Sequence, residues 1–242
     1  MDMFNGWLRM TAAVLIACAS ITLANAEPLK ITVYGGSGNI GQRIVHEALQ
    51  RGHAVTVVSR DPKRVKDQGA RLAVQQGNVL EPEQIAKLVA GSDVVISAVG
   101  ADRRNNPDWG IYRKAGESLV SALRSMGAKA PRLIVVGGAG SLEVAPGVLL
   151  ESKLPKWIRP EAQGQKEALD FYRTVTDVQW TYFSPAARIS AGRRTGKFRL
   201  GGEQQVTDAK GNSKISIEDY AVALLDEAEQ LQHLGQRFTI GY

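Results

Sequence analysis

A glycine-rich turn set between an extended apolar segment and a helical pattern limits most tightly what this chain can fold into. Residues 29–34 (LKITVY) are apolar and β-branched, and Gly35-Gly36-Ser37-Gly38-Asn39-Ile40-Gly41 follows them. Ile40, Ile44, Val45, Ala48 and Leu49 then recur at helical spacing. The unit reads strand, tight turn, helix. Glycines at 35, 38 and 41 let the chain reverse sharply, let the helix close on its strand, and let main-chain N–H groups approach a pyrophosphate with no Cβ in the way. The helix would bring its positive end to the same place. Ser37, Asn39 and Ile40 complete the expected cradle.

The alternation continues along the chain. Residues 54–59, 72–76, 94–98, 133–136, 180–183 and 237–240 read as strands, several of them near-continuous in Val and Ile. Helical stretches fall at 83–89 and at 112–126, where Ala115, Leu119, Ala122, Leu123 and Met126 share one face, and another helix ends over 170–175. Five glycines within 188–213 predict turns there rather than helix. Ser216-Ile217-Glu218-Asp219 opens a last helix, with the serine hydroxyl as its cap, acids at its positive end, and Tyr220, Leu224, Ala228 and Leu231 as its buried face. Strands alternating with helices imply parallel pairing through right-handed crossovers. The expected fold is therefore α/β, a doubly wound, Rossmann-like parallel sheet in a single domain over residues 27–242.

The first twenty-six residues stand apart from this pattern. A single basic residue, Arg9, precedes an apolar run over 11–23, and Ala24-Asn25-Ala26 is a small-x-small cleavage box before Glu27. The run is shorter than the roughly 20 residues a bilayer span needs, so a cleaved signal peptide and export, to the periplasm if the source is bacterial, is the expectation. Stable membrane insertion is not expected after cleavage. Leu15-Ile16-Ala17-Cys18 offers lipidation at Cys18 as the lesser alternative. Cys18 is the only cysteine, so a chain cut at Ala26 has no disulfide and no thiolate chemistry. The formal charge of +6 is dispersed, and no zinc-finger spacing, basic heptad helix or aromatic RNA-binding strand accompanies it. A small anionic ligand suits it better than nucleic acid.

The end of the second strand distinguishes the two pyridine dinucleotides. An NAD site places Asp or Glu there for the ribose 2′-OH, whereas NADP needs a cation for the 2′-phosphate. The sequence is Val58-Ser59-Arg60-Asp61-Pro62-Lys63-Arg64. Arg60 stands where the acid would be, and Ser59 can add a hydrogen bond, which points to NADP, with NADPH preferred over NADH. The competing assignment makes Asp61 the ribose ligand. Asn78 and Val79 after the third strand, Ala98, Val99 and Gly100 after the fourth, and Pro185 after the sixth complete the expected cofactor contacts.

Several further motifs carry a family resemblance: Arg51-Gly52-His53, Ser59-Arg60-Asp61-Pro62, Gly91-Ser92-Asp93-Val94-Val95, Val136-Gly137-Gly138-Ala139-Gly140-Ser141, Trp180-Thr181 and Ser216-Ile217-Glu218-Asp219-Tyr220-Ala221. Together with the first turn, these resemble the atypical short-chain dehydrogenase/reductases. The branch most similar is the NAD(P)H-binding proteins labelled NADH-flavin reductases, akin to biliverdin/flavin reductase, and the likeness spans essentially all of 29–242. It implies an oxidoreductase acting on a small-molecule acceptor.

One departure matters for the chemistry. Most short-chain dehydrogenases use Tyr-x-x-x-Lys, in which lysine lowers the tyrosine pKa for proton donation. No tyrosine here has Lys four residues on, and counting back from Lys166 gives Ala162. Alcohol or ketone chemistry by that route is disfavoured, while a flavin or quinone, whose ring delocalises the charge, needs no strong acid. Ser141 and Lys166 are the catalytic candidates, with a turn serine and an exposed helix lysine as the plainer readings. Trp109 and Trp157 either line an aromatic substrate pocket or pack. His46, His53 and His233 show no ligand spacing, so no metal is expected. Three functions follow in order: a reductase of a flavin, quinone or similar flat acceptor, a non-catalytic redox-sensing dinucleotide binder, and an epimerase-like or dehydratase-like enzyme. Export fits awkwardly with all three, because exported compartments are poor in NADPH.

Overall fold

The computed structural model describes residues 27–103 and 106–242, so the expected leader, with Cys18, lies outside the described residues. The first half lays down β1 (Lys30–Tyr34), α1 (Asn39–Gln50), β2 (Ala54–Ser59), β3 (Leu72–Gln76), α2 (Pro82–Leu88), β4 (Val94–Ser97), α3 (Ile111–Met126) and β5 (Arg132–Val136). A small hairpin of β6 (Glu143–Ala145) and β7 (Val148–Leu149) comes next, then α4 (Arg159–Arg173) and β8 (Trp180–Ser184). The remainder is β9 (Arg188–Ser190), β10 (Arg199–Gly201), β11 (Lys214–Ser216), α5 (Ile217–Glu229) and β12 (Gln236–Gly241).

Eight of these strands form the central sheet in the order β10-β12-β8-β5-β4-β1-β2-β3. All neighbours are parallel except the β10–β12 pair at one edge. Val33 lies between Val57 and Ile96 in register, which is why the inner strands read as unbroken Val and Ile. α1 and α5 cover one face, and α2, α3 and α4 cover the other. This is the single doubly wound α/β domain that the alternation predicts.

Two readings need correction. Leu231 is 44% exposed, because α5 stops at Glu229 and the chain turns toward β12 before Leu231 can complete the buried stripe. The segment 188–213 also contains strands, β9 pairing with β11 and β10 with β12. Backbone groups beside a sheet need partners, and glycine-rich spacing does not prevent short strands from supplying them.

Ser216 caps α5 as expected, its hydroxyl accepting the Asp219 N–H at 3.0 Å. Asp219 is itself buried, and its carboxylate accepts the Thr195 N–H (2.7 Å), the Thr195 hydroxyl (2.6 Å), the Gly196 N–H (2.8 Å) and the Tyr242 hydroxyl (2.7 Å). Desolvation pushes its pKa up, but these donors prevail and hold it below the usual carboxylate value. Such a group contributes stability that is complete above its unfolded pKa and is lost as pH falls through the lower native one. Asp219→Asn is expected to cost about 2 kcal/mol at neutral pH. Denaturant titrations should show that difference shrinking below roughly pH 4. A difference that does not vary with pH would overturn the assignment.

Candidate functional site

The chain order reverses between β1 and β4, so their carboxyl ends open a crevice, and the glycine turn lies there. Gly35 has φ +78°, a conformation that strains L side chains, and a Cβ on it would come 2.3 Å from the Ala98 carbonyl oxygen. A Cβ on Gly41 would come 2.2 Å from the Gly35 oxygen, so α1 rests directly on the turn. Gly38 is different. Its Cβ would meet only the Gly35 oxygen, at 3.2 Å, and the space beyond is open. The three glycines thus divide the work: Gly35 makes the turn, Gly41 allows the packing, and Gly38 borders open space. Gly38 is the N-cap of α1 and gives it no side-chain cap, and no acid stands in the first turn, leaving its amide donors and positive end uncompensated. Ser37 gives its carbonyl to the Gln42 side chain at 2.8 Å, Asn39 is exposed on the first turn, and Ile40 packs against the core beneath.

At the end of β2 the Arg60 side chain is exposed and bonds no acceptor among the described residues. Asp61 turns the other way, its carboxylate capping the turn Pro62–Arg64 through the Lys63 N–H at 3.1 Å. Ser59 is buried and donates its hydroxyl to the Asp61 carbonyl at 2.9 Å, shaping the loop that presents Arg60. Arg60, Gln76, Gly77 and Asn78 line a cleft of about 210 Å³. The Asn78 side chain is engaged within its loop, donating to Glu81 at 3.0 Å and accepting the Leu80 N–H at 3.1 Å, while Val79 packs on the α2 side. Ala98 and Val99 are half-buried just past β4, where the Ala98 N–H still bonds the Tyr34 carbonyl at 2.8 Å, and Gly100 is exposed. Pro185 is buried at the end of β8.

The two catalytic candidates take different partners. Lys166 lies along α4 and pairs with Asp170 at 2.5 Å, as an ordinary helix lysine does. Ser141 is buried, with its hydroxyl 3.4 Å from the Arg237 guanidinium. A Cβ on Gly140, the residue before Ser141, would come 2.5 Å from the Ala162 methyl, so the position four residues before Lys166 holds a buried methyl pressed on the loop after β5.

Sequence reasoning missed two groups. Arg237 is only 5% exposed as the second residue of β12 and pairs with Glu203. A charge within Arg237-Phe238-Thr239-Ile240 was a visible irregularity in an apolar strand. Tyr112 donates to Glu161 at 3.0 Å, and Arg103 reaches the same carboxylate at 2.5 Å. Burial, followed by that carboxylate, pushes the Tyr112 phenol up to about 12. Nothing in the sequence links these three distant positions.

His53 and His233 are packing residues, His53 bonded to the Leu29 N–H and Glu229, His233 to Glu227. Among the described residues no cluster of His, Cys, Asp and Glu could hold a metal, and no helix is long and apolar enough to cross a membrane. Trp109 is half-buried against α4, whereas Trp157 stands 78% exposed and so does not pack.

Comparison with known proteins follows the same lines. Residues 35–228 match a family described as NAD(P)H-binding. The chain is similar to a Burkholderia pseudomallei structure proposed to be an exported protein, at 40% identity and a TM-score of 0.79 over 88% of this chain and 100% of that one. It is similar to a proposed epimerase from Bacteroides thetaiotaomicron at 36% identity and a TM-score of 0.80, covering 89% and 98%. A proposed NADH-flavin reductase from Streptococcus pneumoniae shares 32% identity at a TM-score of 0.78, covering 88% and 99%. These names agree on a fold and differ on a reaction. The match runs through the glycine turn and all but the two ends of the domain, and the chain belongs to the NAD(P)H-binding family, with the fold of the atypical short-chain dehydrogenase/reductases.

Proposed function

We propose that the protein is an NADPH-dependent reductase of a flat, conjugated acceptor such as a flavin or quinone. The observation that carries this reading is the buried methyl of Ala162 where a proton-donating tyrosine would stand. When bound, the reduced nicotinamide supplies hydride. An acceptor that delocalises the incoming charge over its own ring asks the protein for binding and alignment rather than for a strong acid. The Tyr112 phenol does not fill the gap, since its proton is already donated to Glu161.

In this reading the open side of Gly38 and the uncapped amides of α1 receive the pyrophosphate, with Gly35 and Gly41 holding the turn. The exposed Arg60 receives the 2′-phosphate. Asp61, occupied as a cap, leaves that role to its neighbour. The ends of β4 and β8, at Ala98 to Gly100 and at Pro185, flank the nicotinamide. The leader at 1–26 and the likeness to a proposed exported protein support export of the mature domain.

The same missing acid favours one other reading, a dinucleotide-binding redox sensor without turnover. Purified mature protein mixed with NADPH and free flavin mononucleotide separates the two. The reductase is expected to consume NADPH, read by the loss of its near-ultraviolet absorbance, with half-saturation in the micromolar to millimolar range typical of enzymes. Tight NADPH binding with no consumption by flavin or by a benzoquinone would overturn it in favour of the sensor.

A further inference from the structure

The Arg237 guanidinium is the most thoroughly buried charge on the α4 side of the sheet, and its surroundings are incompletely satisfied. One amino group reaches the Glu203 carboxylate and, more distantly, the Ser141 carbonyl at 3.3 Å and the Glu203 main-chain carbonyl at 3.4 Å. The other has only long contacts to hydroxyls, 3.4 Å to Ser141 and 3.5 Å to Ser184. Among the described residues Nε has no partner, and neither has the buried hydroxyl of Thr239, which lies beside Ser184 in register. A guanidinium offers five donors in a planar fork suited to a carboxylate, and leaving such donors unmatched inside a protein is costly. The only full-strength partner among the described residues, Glu203, is half-exposed on the segment after β10 and is shared with Arg173 at 2.8 Å.

Position gives this arrangement its meaning. Ser141 follows β5 and Ser184 ends β8, immediately before Pro185, so the hydroxyls that face the guanidinium belong to the loops at the carboxyl ends of the sheet. The cofactor crevice opens along the same edge, and adjacent strands are spaced only about 4.8 Å apart. A group held at Arg237 would therefore be fixed relative to whatever lies over β4 and β5.

We propose that Arg237, with the hydroxyls of Ser141, Ser184 and Thr239, is a binding site for a carboxylate group of the acceptor, and that the Glu203 side chain occupies it in the free protein as a stand-in of the same chemistry. The acceptor then belongs to the class of flat, conjugated molecules bearing a carboxylate, an assignment that rests on the reductase reading above. Binding exchanges one carboxylate for another, so the buried charge is not left unpaired at either end of the exchange.

The test needs neither cofactor nor turnover, so its outcome is independent of whether the protein is a reductase. Benzoate serves as a flat carboxylate and benzamide as its neutral counterpart, with binding to the whole mature protein followed by calorimetry. Glu203→Gln removes the competing charge from a half-exposed position, and it is expected to tighten benzoate by about tenfold while leaving benzamide unchanged. Arg237→Gln in the Glu203→Gln background is expected to abolish the gain. If Glu203→Gln leaves benzoate binding unaltered, or strengthens benzoate and benzamide alike, the pair is a structural clasp and the proposal fails. That result stands even if the double variant does not fold.

Discussion

Gly38→Ala is expected to weaken NADPH binding by at least about a hundredfold while shifting the melting temperature by no more than about 3 °C. The added methyl would meet a single protein atom at 3.2 Å, a contact that a small backbone adjustment relieves, so the fold has little reason to object. In the proposed binding mode, what it would fill is the space through which phosphate oxygens would reach the first amides of α1. Gly35→Ala is the contrasting case. Its methyl would lie 2.3 Å from a main-chain oxygen on a residue at φ +78°, and overpacking together with left-handed strain is expected to cost about 3 kcal/mol or more. Calorimetry with NADPH beside a thermal melt reads both quantities on each variant. Undiminished heat from Gly38→Ala would remove the cradle from the account altogether.

Arg60→Asp is expected to weaken NADPH by about a hundredfold and NADH by less than about threefold. The 2′-phosphate would lose a charge-assisted fork and meet a carboxylate in its place, whereas a ribose hydroxyl can still donate to that carboxylate. The substitution is mild for the fold, because the Arg60 side chain is exposed and bonds no acceptor among the described residues. Asp61 and Ser59 keep their mutual turn. Equal losses for the two coenzymes would show that Arg60 does not read the 2′ position.

Much of this architecture was legible because strand and helix signals agreed with one another. The apolar runs at β1, β4 and β5 are buried on both faces, and the glycine spacing at 35, 38 and 41 corresponds to three distinct steric tasks that can each be measured. Less legible were features that depend on long-range pairing. β10 is three residues that become a strand only because β12 arrives beside it, and no local pattern announces that. The candidate site divides in the same way. The exposed place of Arg60 follows from its position after a strand, but the surroundings of Ser141 depend on Arg237, ninety-six positions away in sequence. Lys166 finds its partner locally, since an acid four residues on pairs with it without any tertiary contact.

The placing of β12 between β8 and β10 bears on how the molecule is made. An emerging polypeptide can wind β1 through β5 as soon as they are synthesised, yet the outer flank must wait, with β8 lacking a neighbour on that side and β10 lacking one entirely. Completion therefore comes late and depends on contacts far apart in sequence. A polypeptide of this topology spends its early life unclosed along that flank, and the edge of β8 stays open until β12 arrives.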